Sequence, residues 1–368
     1  MLNVHGLRVG RAILLLALFA SVRSYQLMGT DFRGREFIGF TNLSEFATEQ
    51  RGSESILLSP KISADIDWDQ LVTSWNALMR PENYLKIEAR GVFPDHSTKF
   101  YTLALWSGDG SKHPRESVKG QTDDDGDVLT DTLALKRRGA KVEVRLTLGA
   151  TNNLPLPQLA FLGLSFCDTR AKPTALPPNT SAWGKTLPVP ERSQMIYPGG
   201  EVWCSPTTVS MVLGHWSKRL PRADLIHDVP DIAKAVFDKN WPGTGNWPFN
   251  TAFAGAFPGM RAYVSRLSDV SELEDWIAKD IPVIVSVSYG ELKGSGKRPN
   301  DGHLVVCVGF TKGGDPIIND PGQRENVQRT FPRENLMKAW AYSHHTVYLI
   351  NPQDAAVPKD RFGHWFAH

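Results

Sequence analysis

Two kinds of hydrophobic pattern divide this chain. From Asp31 to about Phe166, β-forming residues alternate or cluster in short runs between Gly and Asp turns. Lys99-Phe-Tyr-Thr-Leu-Ala-Leu-Trp106 and Lys141-Val-Glu-Val-Arg-Leu-Thr-Leu148 are two of them. Many such strands at short spacing predict an antiparallel β-sandwich over residues 31–167. Past residue 190 the periods mix. A helix opens at Cys204, with Pro206 in its first turn and Val209, Val212, Leu213 and Trp216 on one face. Ser271-Glu-Leu-Glu274 reads as a capping box for a second helix carrying Leu273, Trp276 and Ile277. Strands are predicted over Ile281–Tyr289, His303–Phe310, Asp315–Asp320 and His344–Ile350.

Between these patterns, residues 168–188 turn rich in Pro, Thr, Ala and Asn, with prolines at 173, 177, 178 and 188 and another at 190. Proline removes backbone donors, so the segment is expected to be an exposed linker between the sandwich and a second domain over 189–352, with 353–368 as a tail. At the other end, Arg8 and Arg11 precede an apolar run from Ala12 to Ala20, with Val22 and Ser24 at cleavage-site spacing. That layout predicts a signal peptide over residues 1–24 and a protein that is secreted or held in the cell envelope.

Composition narrows the picture without settling function. A length of 368 residues accommodates two ordinary domains. A net charge of +2 with no Lys/Arg block gives no footprint for nucleic acid. The cysteine count is more informative. Cys167, Cys204 and Cys307 make an odd number, so at least one thiol is free.

Cys204 stands where chemistry favours a nucleophile, because N–H dipoles at a helix start support a thiolate. A thiolate needs an imidazole to stabilise it and to protonate the leaving amine, and a third polar group to orient that imidazole. His303 follows 99 residues later and Asp320 another 17 residues on. Trp203-Cys-Ser-Pro-Thr207 with Ser210-Met-Val-Leu213, Gly302-His-Leu-Val-Val-Cys-Val-Gly309 and Ile318-Asn-Asp-Pro-Gly322 together resemble the nucleophile, histidine and Asp-Pro motifs of the peptidase C39-like family. The resemblance spans about residues 189–350. It implies a papain-like α+β domain that hydrolyses peptide bonds through Cys204, His303 and Asp320, without a metal or other cofactor, on a peptide or protein substrate. The chain departs from the family pattern in two places. Ser205 replaces the glycine after the nucleophile, and the nearest candidate for the oxyanion glutamine, Gln194, lies ten residues upstream.

The neighbouring residues have plainer readings. Cys307 and Cys167 are expected in the core, and His215 to be structural. Asn319 competes with Asp320 as the orienting residue, since papain-like enzymes use an asparagine, but Pro321 and the Asp-Pro motif favour Asp320. Asp123-Asp-Asp-Gly-Asp127 lacks calcium-loop spacing and reads as a solvated turn. Trp68, Trp75 and Trp106 read as sandwich core, with a sugar-binding face, and hence contact with cell-wall or other polysaccharide, as the alternative. Two rivals to the peptidase keep the same residues: an acyltransferase resolving the thioester with an amine, and a catalytically silent binding module.

Overall fold

The computed structural model describes residues 34–152, 154–173, 175–359 and 365–367; the expected signal peptide lies outside them. The first domain is built from β1 (Arg35–Phe40), β2 (Ala47–Arg51), β3 (Glu54–Leu58), β4 (Gln70–Leu78), β5 (Asn83–Val92), β6 (Tyr101–Ser107), β7 (Gly126–Leu129), β8 (Thr132–Leu135), β9 (Lys141–Ala150) and β10 (Gln158–Cys167). These strands form two sheets, in the orders β1-β10-β4-β8-β7 and β2-β3-β9-β5-β6, with antiparallel neighbours throughout. Trp75 of one sheet meets Trp106 of the other edge-on, with ring centroids 6.0 Å apart. Trp68 and Trp75 are fully buried and Trp106 nearly so. All three rings lie in the interior, so they do not form the exposed aromatic face that the sequence left open.

The second domain contains β11 (Lys185–Thr186), α1 (Cys204–Arg219), α2 (Val229–Ala235), α3 (Trp247–Ala254), β12 (Met260–Arg266), α4 (Val270–Ala278), β13 (Val283–Ser288), α5 (Tyr289–Leu292), β14 (Gly302–Phe310), β15 (Pro316–Asn319), β16 (Gln328–Thr330), α6 (Arg333–Ala341) and β17 (Thr346–Pro352). Its sheet runs β12-β17-β13-β14-β15-β16, with β11 added beside β14. Near-continuous apolar runs such as Val283–Val287 and Leu304–Val308 form central strands because helices cover the sheet. Helix α1 is tied to β17 by Trp216 Nε1 donating to the Ile350 carbonyl (2.8 Å) and by a Ser205–Tyr348 hydroxyl pair (2.9 Å).

Four sequence expectations need correction. Residues 168–188 are not a free linker, although many of their side chains are exposed. Asn179 N–H and Trp183 Nε1 donate to the Glu274 carboxylate (both 2.7 Å), and Leu176 N–H donates to Asp269. Lys185 and Thr186 then pair with β14, and Leu187 is buried. Prolines cost the segment donors, but Asn179, Trp183 and the remaining amides supply enough anchors to dock it on α4. Nor is 353–368 a detached tail, because a last strand, β18 (Trp365–Ala367), pairs in parallel with β1. Helix α4 is capped by Asp269, which accepts the Ser271 N–H, rather than by a box starting at Ser271. His344 and His345 precede β17 in a turn with positive φ (52° and 63°), so they do not alternate along a strand.

The described residues belong to one continuous unit. Strand β12 is an edge of its sheet, and its outward amide groups meet side chains of β4. Asn76 donates to the Ala262 carbonyl (2.6 Å) and accepts the Ala262 N–H (3.1 Å), and Ser74 Oγ accepts the Val264 N–H (3.1 Å). An unpaired edge invites association with other chains, and here the first domain covers it. Asn76→Ala would leave both Ala262 groups buried and unpaired, so a loss of roughly 3 kcal/mol is expected. Urea unfolding should show a lower midpoint with an unchanged slope.

Candidate active site

The nucleophile segment enters α1 through two short 3₁₀ turns, Gln194–Ile196 and Gly200–Val202. Trp203 stands at the N-cap and contributes no side-chain cap, so the first-turn N–H groups remain available to an anion at Cys204. Cys204 is partly exposed, whereas Cys167 and Cys307 are fully buried. Strand β14 presents His303 against Cys204, and the end of β15 presents Asp320 against His303. His303 Nε2 sits 2.8 Å from Asp320 Oδ1, and the Cys204 thiol lies close enough to the imidazole for each to shift the titration of the other. With Nε2 engaged by the carboxylate, Nδ1 is the ring nitrogen left for sulfur.

Asp320 is completely buried and fully satisfied. Oδ1 also accepts the Gly322 N–H (2.9 Å), while Oδ2 accepts Tyr289 Oη–H (2.9 Å) and Gln323 Nε2–H (2.8 Å). Gly322 supplies the room for this arrangement. A Cβ there would come within 3.2 Å of both Asp320 Oδ1 and Tyr289 Oη, and within 3.3 Å of His303 Cε1.

Burial and hydrogen bonding oppose each other at all three groups. Burial alone pushes the Cys204 thiol up, but the hydrogen bond and charge of His303, with the Leu304 and Ser205 N–H groups beside the sulfur, bring it below its ordinary value. Burial disfavours a charged His303, yet the bonds to Asp320 and Cys204 raise it to about 9. Burial likewise works against the Asp320 carboxylate, which His303, Gln323 and Tyr289 nonetheless lower to about 2. Between those limits His303 and Asp320 are both charged and each supports the other, and the imidazolium in turn favours the thiolate. Cys307 has no such partners, and burial pushes it up to about 12.

The other residues singled out from sequence fall elsewhere. Asn319 turns away from the imidazole, donating to the Val189 carbonyl (3.3 Å) and accepting from Gln328 (3.1 Å). Gln194 sits beside the cluster, its N–H bonded to the Pro321 carbonyl (3.0 Å). Its side-chain Nε2 donates to the Glu201 carbonyl (2.7 Å), and its buried Oε1 has no partner. His215 approaches the Pro188 carbonyl at 3.4 Å, on α1 well beyond the nucleophile turn. The Asp123–Asp127 turn is stitched internally, Asp123 accepting the Asp125 and Gly126 N–H groups (both 3.0 Å). Sequence reasoning missed Tyr289 and Gln323. Tyr289 looked like the last residue of a strand, and the only signal for Gln323 was its place one residue after Asp-Pro-Gly.

A thiol, imidazole and carboxylate in series is the constellation of cysteine-dependent hydrolases. Residues 186–348 match the model of the Peptidase_C39 like family, and residues 45–166 match that of the Peptidase C39 N-terminal domain. Residues 186–348 are thus assigned to the C39-like peptidase family, and the strand-rich first domain has its own counterpart in the C39 N-terminal domain. Membership gives the chain a function of the cysteine-peptidase type in general, with a peptide or protein as substrate. Three solved chains also match. One is a candidate C39-like peptidase from Bacillus anthracis, 14% identical, covering 46% of this chain and 98% of its own length with a TM-score of 0.34. No curated protein sequence matches significantly.

Proposed function

We propose that the protein is a secreted cysteine peptidase that cleaves peptide bonds through Cys204, His303 and Asp320. The observation that carries this reading is the series of a partly exposed thiol beside a buried imidazole that is itself hydrogen-bonded to a buried carboxylate. Nucleophile on a helix start, histidine on one strand and carboxylate at the end of the next is also the papain-like order. The Cys204 thiolate adds to the substrate carbonyl carbon, forming a C–S bond and an oxyanion. His303 donates its Nδ1 proton to the departing nitrogen as the C–N bond breaks, leaving a thioester and a free amine. Neutral His303 then takes a proton from water, whose oxygen displaces sulfur to release the acid and restore the ion pair. The Cys204 N–H lies at the start of α1 and is suited to the oxyanion. Gln194 is the side-chain candidate for a second donor, if its carboxamide turns from Glu201 toward the substrate. The arginines and apolar run at residues 8–20 support secretion.

Limited iodoacetamide treatment of the full chain at mildly acidic pH tests the reading. Cys204 should be modified first, and peptide-library turnover should fall in step with it. At that pH Cys307 remains a protonated, buried thiol and Cys167 is out of reach of the reagent. Equal labelling of the three cysteines, or none at Cys204, would overturn it.

A further inference from the structure

We propose that Tyr289 is a positioning residue of this site: its phenol locks the free oxygen of Asp320, so that the carboxylate offers His303 a single acceptor in a single orientation. The proposal rests on the triad reading above and adds a member to it. Tyr289 Oη donates to Asp320 Oδ2 (2.9 Å) and accepts from Gln323 Nε2 (2.6 Å), which itself also reaches Oδ2 (2.8 Å). The three atoms close a small ring of hydrogen bonds around the oxygen that the imidazole does not use. The aromatic body of Tyr289 lies on the imidazole, with ring centroids 4.3 Å apart at 41°, so one side chain constrains both members of the pair.

Tyr289 is itself firmly held, as a positioning residue must be. Its N–H donates to the Asp301 carbonyl (2.9 Å), and the Gly290 N–H donates to the Asp301 carboxylate (2.9 Å). Asp301 lies two residues before His303, so the segment bearing the phenol and the strand bearing the imidazole share an anchor. Lys293 Nζ sits 3.8 Å above the Tyr289 ring from the next turn. Burial and the Asp320 charge hold the phenol above its ordinary range, so it stays a donor through the neutral range, where the carboxylate is charged. The charged or titratable groups around the pair include Cys204, His303, Lys293, the Asp301 carboxylate on the Gly290 N–H and, at longer range, Arg329.

A mutant cycle in the full-length protein tests this, with the rate of Cys204 alkylation by iodoacetamide as the readout. Tyr289→Phe keeps the ring and removes only the hydroxyl. In the parent it should slow alkylation about tenfold, the scale of one hydrogen bond to a charged group. Asp320 loses a donor to its charged form, so the acid limb of the pH–rate profile should move to higher pH. In an Asp320→Ala background the same substitution should change nothing, because the group through which it acts is gone. Gln323→Ala supplies a second variant and should show a smaller effect of the same kind. An equal slowing in both backgrounds, or no slowing and no shift of the acid limb in the parent, would overturn the proposal. If instead Cys204 in the parent is no more reactive than an ordinary thiol and Asp320→Ala is silent, the triad reading falls and this inference falls with it.

Discussion

Asp320→Ala is expected to lower peptide turnover by a factor on the order of 10² or more while the protein remains folded. The carboxylate holds the imidazole by Nε2, keeps Nδ1 aimed at sulfur and stabilises the imidazolium. Removing it withdraws the main support for the charge on His303, and the thiolate loses its counter-ion. Asn319→Ala is expected to leave the rate nearly unchanged and to reduce stability by roughly 1–3 kcal/mol, because the Val189 carbonyl loses its buried donor. Parallel kinetics and urea melts on the two variants check this. A large rate loss in Asn319→Ala with a nearly active Asp320→Ala would show that the amide, not the carboxylate, orients the imidazole.

A fragment beginning at Thr186 is expected to be insoluble, or soluble without a cooperative melt. Phe249 packs against Trp75 and Trp106 (6.2 and 5.0 Å between ring centroids), and Tyr263 packs against Phe37 and Phe161 (4.7 and 5.6 Å). Uncovering those two rings alone gives up on the order of 5 kcal/mol. That is comparable to the whole stability of a marginal domain, roughly 5–15 kcal/mol. The fragment also exposes the edge of β12 once Ser74 and Asn76 are gone. A fragment that stays monomeric, melts cooperatively and labels at the parent rate would refute the shared core.

The chemistry of this chain was easier to read in the sequence than its packing. The juxtaposition of Cys204, His303 and Asp320 was legible because each sits in a short motif: a helix start, a strand, and an Asp-Pro turn. Strand alternation meant that only one of Asn319 and Asp320 could face the imidazole, and Pro321 with the Asp-Pro motif favoured Asp320. Tyr289 was not visible, since its role depends on a half-turn after β13 and on a carboxylate 31 residues away. The docking of 168–188 was hidden for a similar reason. Proline content reports the donors a segment lacks, and says nothing of the Glu274 carboxylate waiting for those that remain. Gln194 lies near the site as its position suggested, but the turn at residues 200–202 offers its amide a backbone carbonyl that no spacing rule foretells.

One buried side chain, Asp238, gathers donors from both halves of the protein. It accepts the Ser117 N–H from the first domain, the Asn240 and Trp241 N–H groups from its own loop, and the Asn246 side chain ahead of α3. That loop continues to Thr244, whose hydroxyl holds the Val202 carbonyl two residues before the nucleophile. The approach to the thiol is thus already ordered by contacts with the strand-rich domain before any peptide arrives. A substrate meeting this surface does not have to freeze it, and the entropy of ordering that segment is spent during folding rather than at each encounter.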